Sequence, residues 1–595
     1  MGDINKRYDV VVIGGGISGV CAAIAAARRG ALTALIQDRP VLGGNASSEV
    51  RVQISGADRD GAEGRKNYRE TGIILEILLR NKALNGGYSF SVFDNVLWDM
   101  VKQESRLDLY LNTTVYAISK ENNKIFAVRA VQLGNEKKYY FQGKFFVDTT
   151  GDAALVALCD GEAREGREAK REYMESLAPE NSDNYTMGST IMFSTKDMGR
   201  KVSYKKPDWA YTITKKKLGK RAIHNLNFGY WWIEVGGDEL RTIQDNEEIR
   251  DELIKYVYGI FDYIKNSGEY EADTLALDWI APIPGKRESR RSIGDYVLTQ
   301  NDIETQARFK DTVAYGGWTM DMHSVGGIRN QHNEKEEGTV WNQFKGIYAI
   351  PYRCLYNKDV DNLYVGGRAI SATHIALSST RVMATCGVIG QAIGTAAALA
   401  VKKDFSSARE IGTNIEVLQQ MLIEDDCYLP GICVIDEKDI IRNQECYISA
   451  SSEVMGGEAQ KICTEYARTI GGESNCWIAR GVSEEWIKIE LKAVHKISRI
   501  RIRFDPDLNQ ILIPTMELEN IMRQPTSMPK TLIKDYDLFL LNKEQLIEEK
   551  KIRNNILRVN EIKLDGKNDC DEIKIVIKSN YGDKHARIFE IQVYD

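Results

Sequence analysis

The stretch Tyr8–Gly30, YDVVVIGGGISGVCAAIAAARRG, decides how the rest of the chain is read. A short apolar run enters three consecutive glycines, and an Ala-rich segment follows. That order reads as buried strand, turn and helix. Gly14, Gly16 and Gly19 have the GxGxxG spacing, with Gly15 and Ser18 between them. The first glycine of such a turn makes the bend, and the second lets a pyrophosphate approach the backbone. The third lets helix and strand pack closely. Free N–H groups and the positive end of the helix dipole then hold the phosphates. NAD and FAD domains share this turn, so it implies a dinucleotide without choosing one.

The next strand, ALTALIQDRP (31–40), would ordinarily end in an acidic residue on the ribose hydroxyls. Gln37 stands there and Asp38 follows, and either side chain can take the hydroxyls. PVLGGNASSEV (40–50) comes next. A Gly43–Gly44 turn is not needed for NAD but suits a backbone passing close to a flat isoalloxazine ring. Asn45, Ser47 and Ser48 offer polar contacts there, although the same residues would also cap a helix. KFFVDTTGDAAL (144–155) runs a strand into Thr150, Gly151 and Asp152. DNLYVGGRAI (361–370) ends another in Gly367 and Arg368, and Val115 completes the expected cofactor wall.

Several of these stretches together resemble the large bacterial family of FAD-dependent oxidoreductases, distantly related to the fumarate reductase and glutathione reductase flavoproteins. They are RPVLGGNASSEVR, VDTTGDAALVAL, GREAKREYMESLAPE, PGKRESRRSIGDYVLTQNDI, VAYGGWTMDMH, IPYRCLY and GGRAISATHIALSSTRVMATCGVIGQAIGTAAALA, spanning about 8–430. The resemblance implies FAD and redox chemistry, without a substrate. It implies an α/β fold, in which a Rossmann-like FAD-binding domain (1–160 and 345–430) is interrupted by an α+β substrate domain (161–344).

The resemblance also places the uncharged run Val382–Val401, VMATCGVIGQAIGTAAALAV. Its length would cross a bilayer, and Gly390 and Gly394 have GxxxG spacing. Yet Gly, Ala and Thr outnumber strong inserters, so a helix buried against sheet and cofactor is expected, not a membrane span. In such flavoproteins the N-terminus of this helix faces the flavin. Ser378, Ser379 and Thr380 are expected caps, with Arg381 and Val382 beside the ring.

The 595 residues suggest about three to four domains. A composition 43% hydrophobic and 28% charged is that of an ordinary globular protein. The net charge of −6 gives no reason to expect nucleic acid, and TKKKLGKR (214–221) reads as a solvated surface. The ten cysteines lack CxxC spacing. They read as free thiols in a reducing compartment, with no metal site. The first strand begins almost at once, leaving no room for a secretory segment, and the cytoplasm is expected.

The inserted domain should cover the flavin. Arg287, Arg290 and Arg291 in RESRRSIGDY can orient a carboxylate, polarise a carbonyl or stabilise reduced flavin; a salt-bridged surface helix fits equally. In AYGGWTMDMHS, Asp321 and His323 lie on one face if extended, and Trp318 can stack on a sugar ring. His374, between Gly-Gly-Arg and the apolar helix, is the preferred proton acceptor, and Arg353 a weaker candidate. No second GxGxxG follows a strand, so a nicotinamide domain is not expected, and electrons would pass to a quinone, a small carrier, oxygen or the substrate itself.

From about 440 the pattern changes to period two: EEWIKIELKA, HKISRIRIRFD, KDYDLFLLN, DEIKIVIKS and ARIFEIQVYD. That is an all-β jelly-roll sandwich over 440–595, resembling galactose-binding or discoidin-like domains. Such domains bind carbohydrate or pack against a neighbour. Residues 408–426 read as one joining helix.

The leading function is hydride transfer between flavin and a small polar substrate, such as a sugar or glycoside. One alternative is lyase-like glycoside cleavage with no net redox change. Another is a carbohydrate-binding protein with a structural flavin. An oligomer is compatible with all three.

Overall fold

The computed structural model describes residues 3–57, 66–330, 338–443, 446–564 and 569–595. Strand Val10–Ile13 is buried along its whole length at the centre of a five-stranded sheet. The order is Leu363–Val365, Phe145–Asp148, Val10–Ile13, Thr33–Ile36 and Leu107–Tyr110. All neighbours pair in parallel, Val10 lying opposite both Phe145 and Thr33. Strands covered on both faces need continuous apolar runs, which VVVI, TALI and LYV supply. The outermost strand, Leu363–Val365, comes from far along the chain. The sheet is therefore completed by a strand that follows the whole intervening polypeptide in sequence.

Helices Ile17–Arg28 and Met383–Lys402 pack against each other in the core of this layer. A Cβ on Gly390 would lie 2.1 Å from the Ser18 carbonyl oxygen, and one on Gly394 2.1 Å from that of Ala22. The GxxxG spacing thus serves backbone-to-backbone contact of two buried helices. By length and composition Met383–Lys402 would cross a membrane, but 94% of its apolar window is buried inside the protein.

The expected caps are corrected. Ser378, Ser379 and Thr380 lie inside a separate short helix, His374–Thr380, and the N-cap of the long helix is Val382, which offers no side-chain bond. Thr373 caps the short helix instead, accepting from the Ala376 N–H at 3.1 Å.

A second sheet joins Ile4–Arg7, Lys137–Gln142, Lys124–Gln132 and Thr113–Glu121. Between residues 160 and 345 lie small antiparallel pairs and the helix Asn246–Asn266, whose Ile249, Leu253 and Val257 pack with Phe193, Val235 and Leu275. In one of them Met320–His323 runs beside Thr339–Asn342, with His323 opposite Thr339.

The period-two segments near the C-terminus form two antiparallel sheets. One orders Cys446–Ala450, Glu485–Lys496, Asp569–Asn580, Ile533–Asn542 and Gln545–Ile552. The other orders Trp477–Ile478, Arg587–Tyr594, Arg499–Phe504 and Val559–Lys563. Ile487 and Ile575 from the first and Ile502 and Ile591 from the second are fully buried in a shared apolar core. The joining segment is a 3-10 stretch, Ala408–Asn414, followed by helix Ile415–Glu424, rather than one helix. Its end is gripped from the sandwich. Arg503 Nε lies 3.2 Å, and Arg558 Nε 2.9 Å, from Asp426.

Candidate flavin site and active centre

The glycine turn fits a dinucleotide closely. Gly14 has φ +100°, and a Cβ there would lie 2.3 Å from the Thr149 carbonyl oxygen. A Cβ on Gly19 would meet the Gly14 carbonyl oxygen at 1.8 Å. Gly16 is the N-cap of Ile17–Arg28 and provides no side-chain bond, so the first N–H groups of that helix are left for a ligand. Ser18 Oγ is buried with no hydrogen-bond partner among the described residues. Gly14, Gly16 and Ser18 line a cavity of about 690 Å³, and Gly15 and Gly19 act behind them through packing.

Gln37 is already engaged. Its Oε1 accepts from the Gly15 N–H at 2.7 Å and its Nε2 donates to the Val41 carbonyl at 3.2 Å. Asp38 is exposed beside it on the cavity wall. The side chain that substitutes for the usual acid thus braces the glycine loop, while Asp38 faces the cavity.

The Gly43–Gly44 turn approaches the first one. Both glycines have positive φ, and a Cβ on Gly44 would lie 3.2 Å from Gly16 Cα. Asn45 lines the cavity and donates Nδ2 to the Lys286 carbonyl at 3.0 Å. Ser47 and Ser48 are off the wall: the Ser47 hydroxyl accepts from the Glu49 N–H, and the Ser48 N–H donates to Asp94. Val115, Thr150, Gly151 and Asp152 line the cavity from another side, and Gly367, Arg368, Arg381 and Val382 from the end of the chain's return. Asp152 binds Lys286 at 2.7 Å, Ser289 at 2.7 Å and Arg368 at 3.0 Å. Burial would raise its carboxyl, but Arg368 and Lys286 outweigh burial and bring it down to about 2. The N-terminus of Met383–Lys402 also opens here, through Val382 and Met383; its Ala384 N–H donates to the Ser55 carbonyl at 2.9 Å. One bare helix end, a second that is partly capped, two glycine turns and an orphaned hydroxyl around one cavity fit FAD.

A buried charged cluster shares that cavity. His323 Nδ1 lies 2.7 Å from Glu234, and Nε2 lies 3.3 Å from Asp321. Arg381 binds Asp321 at 3.0 Å, and Arg287 stands 3.7 Å from Glu234. Burial would raise both carboxyls. Around Asp321 the His323 and Arg381 charges prevail and hold it well below its ordinary range; Arg287 and His323 depress Glu234. Trp231 stands edge-on to the His323 ring at 5.6 Å, and Trp318 meets Trp341 edge-on at 6.0 Å. Asp321, His323, Arg287 and all three tryptophans line the cavity.

The other candidates are placed elsewhere. His374 is buried behind the wall, its Nδ1 on Glu288 at 2.8 Å and its N–H on Glu168 at 2.8 Å. Arg291 joins the same network, 3.0 Å from Glu168. Arg290 is not on the cavity wall, and Arg353 pairs with Asp311 near the surface at 3.0 Å. Glu234, Trp231 and Trp341 escaped the sequence reading, because nothing local marks a residue that strand pairing brings in from a distance. Among the described residues no group of three or more His, Cys, Asp or Glu side chains is arranged to hold a metal ion.

A parallel sheet with paired glycine turns around a dinucleotide cavity defines a nucleotide-binding flavoprotein. The sequence model described as FAD dependent oxidoreductase matches residues 9–422, and the chain belongs to that family. It is an FAD-dependent oxidoreductase. Curated relatives are named tRNA uridine 5-carboxymethylaminomethyl modification enzyme MnmG. That of Geobacter metallireducens is 34% identical over 122 residues, covering 18% of this chain and 19% of the relative. That of Lactococcus lactis is 30% identical over 193 residues, covering 30% and 28%. The chain thus spans less than a third of these relatives' length.

Among solved structures, the family 32 carbohydrate-binding module from C. perfringens NanJ in complex with galactose is 23% identical, with TM-score 0.20. The match covers 27% of this chain and 98% of that one. The family 32 module from Streptococcus pneumoniae EndoD is 16% identical, with TM-score 0.20, covering 26% and 99%. Likeness at this level says nothing of what the present chain binds.

The exclusion of nucleic acid is corrected by the relatives' names, since those enzymes act on tRNA. A whole-chain net charge averages over the surface and hides local excess. Lys215, Lys216, Lys217 and Lys220 are all exposed in one short stretch.

Proposed function

We propose that this oxidoreductase exchanges a hydride between FAD and a carbon of a small polar, hydroxylated substrate held beside His323. The carrying observation is His323 between Glu234 and Asp321 on a wall shared with the flavin-holding glycines. Bound FAD supplies a two-electron acceptor or donor. In the oxidative direction the substrate C–H bond breaks and its electron pair leaves with the hydrogen. The hydroxyl proton passes to His323 Nε2, the more loosely held nitrogen, and a C=O bond forms. Asp321 and Glu234 face the two ring nitrogens, so both N–H groups of the protonated ring have acceptors. Arg381 and Arg287 anchor those carboxylates, and the tryptophan faces suit a flat or ring-shaped substrate.

On this reading the parallel sheet is a Rossmann-like FAD-binding domain over 1–160 and 345–430, with a substrate domain over 161–344. The C-terminal sheets form a galactose-binding-like jelly roll over 440–595. All ten cysteines are free, which supports a reducing, cytoplasmic setting.

An anaerobic titration of the purified protein with glycosides and polyols tests the reaction, read as bleaching of the flavin band. His323→Gln should keep its FAD and slow bleaching by about 10²–10⁴-fold. Full-rate bleaching in that variant would remove His323 from the chemistry. A second reading, a substrate carried on RNA, is favoured by the exposed lysines close in sequence to His224, which lines the cavity. It requires tRNA binding that weakens steeply with salt.

A further inference from the structure

Between strands Arg499–Phe504 and Ile533–Asn542 the chain leaves the sandwich on a long excursion. Residues Thr515, Met516 and Glu517 of that excursion line the same cavity as the flavin-site glycines. They are fixed to the segment following the Gly43–Gly44 turn. Gln53 Oε1 accepts from Thr515 Oγ1 at 3.1 Å and from Asn520 Nδ2 at 3.2 Å. Arg51 joins all three regions: its guanidinium stacks 3.8 Å over Trp279 of the inserted region and lies 3.9 Å from Met516 Sδ.

Glu517 is the chemically informative member. It is half-buried, accepts a hydrogen bond from Asn520 Nδ2, and has no ion pair among the described residues. Burial raises its carboxyl, and the charge of His224, another lining residue, pulls it back. A partly desolvated carboxylate with no ion pair of its own, on the wall of a ligand cavity, repels anions. It is satisfied by a ligand that donates hydrogen bonds.

We propose that the C-terminal domain is a working part of the active centre: Thr515–Glu517 wall the channel to the flavin, and Glu517 selects hydroxylated or cationic ligands over anions. This deepens the reading of a polar, hydroxylated substrate and rests on it for the substrate class.

The test uses collisional quenching of FAD fluorescence in the full-length flavoprotein, with iodide as anion, acrylamide as neutral probe and caesium as cation. Removing one unit charge near the path should change quenching by about two-fold. Glu517→Gln should therefore raise the iodide constant about that much, lower that of caesium, and leave acrylamide unchanged. Met516→Ala should raise all three by widening the channel. Unchanged iodide-to-acrylamide and caesium-to-acrylamide ratios in Glu517→Gln, with FAD retained by its visible spectrum, would overturn the proposal. No turnover enters these measurements, so failure of the hydride reading would appear separately, as a flavin that polyols never bleach.

Discussion

His323 and His374 carry the same side chain, and burial alone does not separate them: 9% and 5% of their surfaces are exposed. What separates them is where the ring points. His374 meets Glu288 inside the protein, whereas His323 lies on the cavity wall. Sequence adjacency to Gly367 and Arg368 made His374 the natural choice, but the helix it opens turns the ring inward. A buried carboxyl elsewhere gives a cleaner quantitative expectation. Asp439 is fully buried and accepts from the Val593 N–H at 3.0 Å and the Ile441 N–H at 3.2 Å. Burial outweighs these bonds and Arg442, pushing its carboxyl up to about 6. The folded state therefore binds this proton more tightly than the unfolded chain does. The stabilisation is complete below about pH 4 and is lost as pH rises through about 6. Asp439→Asn keeps an acceptor and cannot ionise. It should gain roughly 1–3 kcal/mol relative to wild type at pH 8 and nothing at pH 4. Denaturant melts at the two pH values decide this, and an equal shift at both would refute it.

The helices and glycine turns show which constraints sequence exposes. Gly14, Gly16, Gly43 and Gly44 were legible because each is dictated by its own backbone or by a neighbouring turn. The small residues of Met383–Lys402 announced a close approach but not the partner, which is the helix Ile17–Arg28. Glu234 was illegible, because it reaches His323 only through a two-residue strand paired with Ser189–Thr190. Gly390→Ala tests the helix contact. Its methyl would fall 2.1 Å from the Ser18 carbonyl, so the two helices must separate. A loss of about 1–3 kcal/mol or more is expected, with weaker FAD retention, since Ser18 lies on the cavity wall. Gly412→Ala, with nothing within 4 Å of the added carbon, is the control. Urea midpoints and flavin-to-protein absorbance ratios measure both effects. Equal behaviour of the two variants would contradict the contact.

The C-terminal antiparallel sheets are joined to the parallel-sheet layer by charge as well as by shared apolar core. Asp426, at the end of the joining segment, is held by Arg503 and Arg558; Arg501 donates to the Glu424 carbonyl at 2.9 Å. From the other side Arg29, just past the first helix, reaches Asp425 at 2.8 Å. The same few residues thus face both the glycine-turn helix and the sandwich. The period-two pattern revealed the antiparallel strands but not this docking: Arg501 and Arg503 alternate along one strand and Arg558 directly precedes another, and their acceptors lie in the joining segment, outside the period-two strands. Removing one partner of a buried pair leaves an uncompensated charge and costs about 3–5 kcal/mol. Arg558→Met should lower stability by roughly that amount, less what Arg503 recovers by keeping Asp426 paired. If the sandwich and flavin domain form one cooperative unit, wild-type calorimetry shows a single transition, with FAD release at the same midpoint. Arg558→Met, by weakening the joint more than either core, should split that transition or part FAD release from sandwich melting. Two transitions in the wild type would mean that the sandwich melts apart from the flavin domain, and that the wall it lends the cavity is held only loosely.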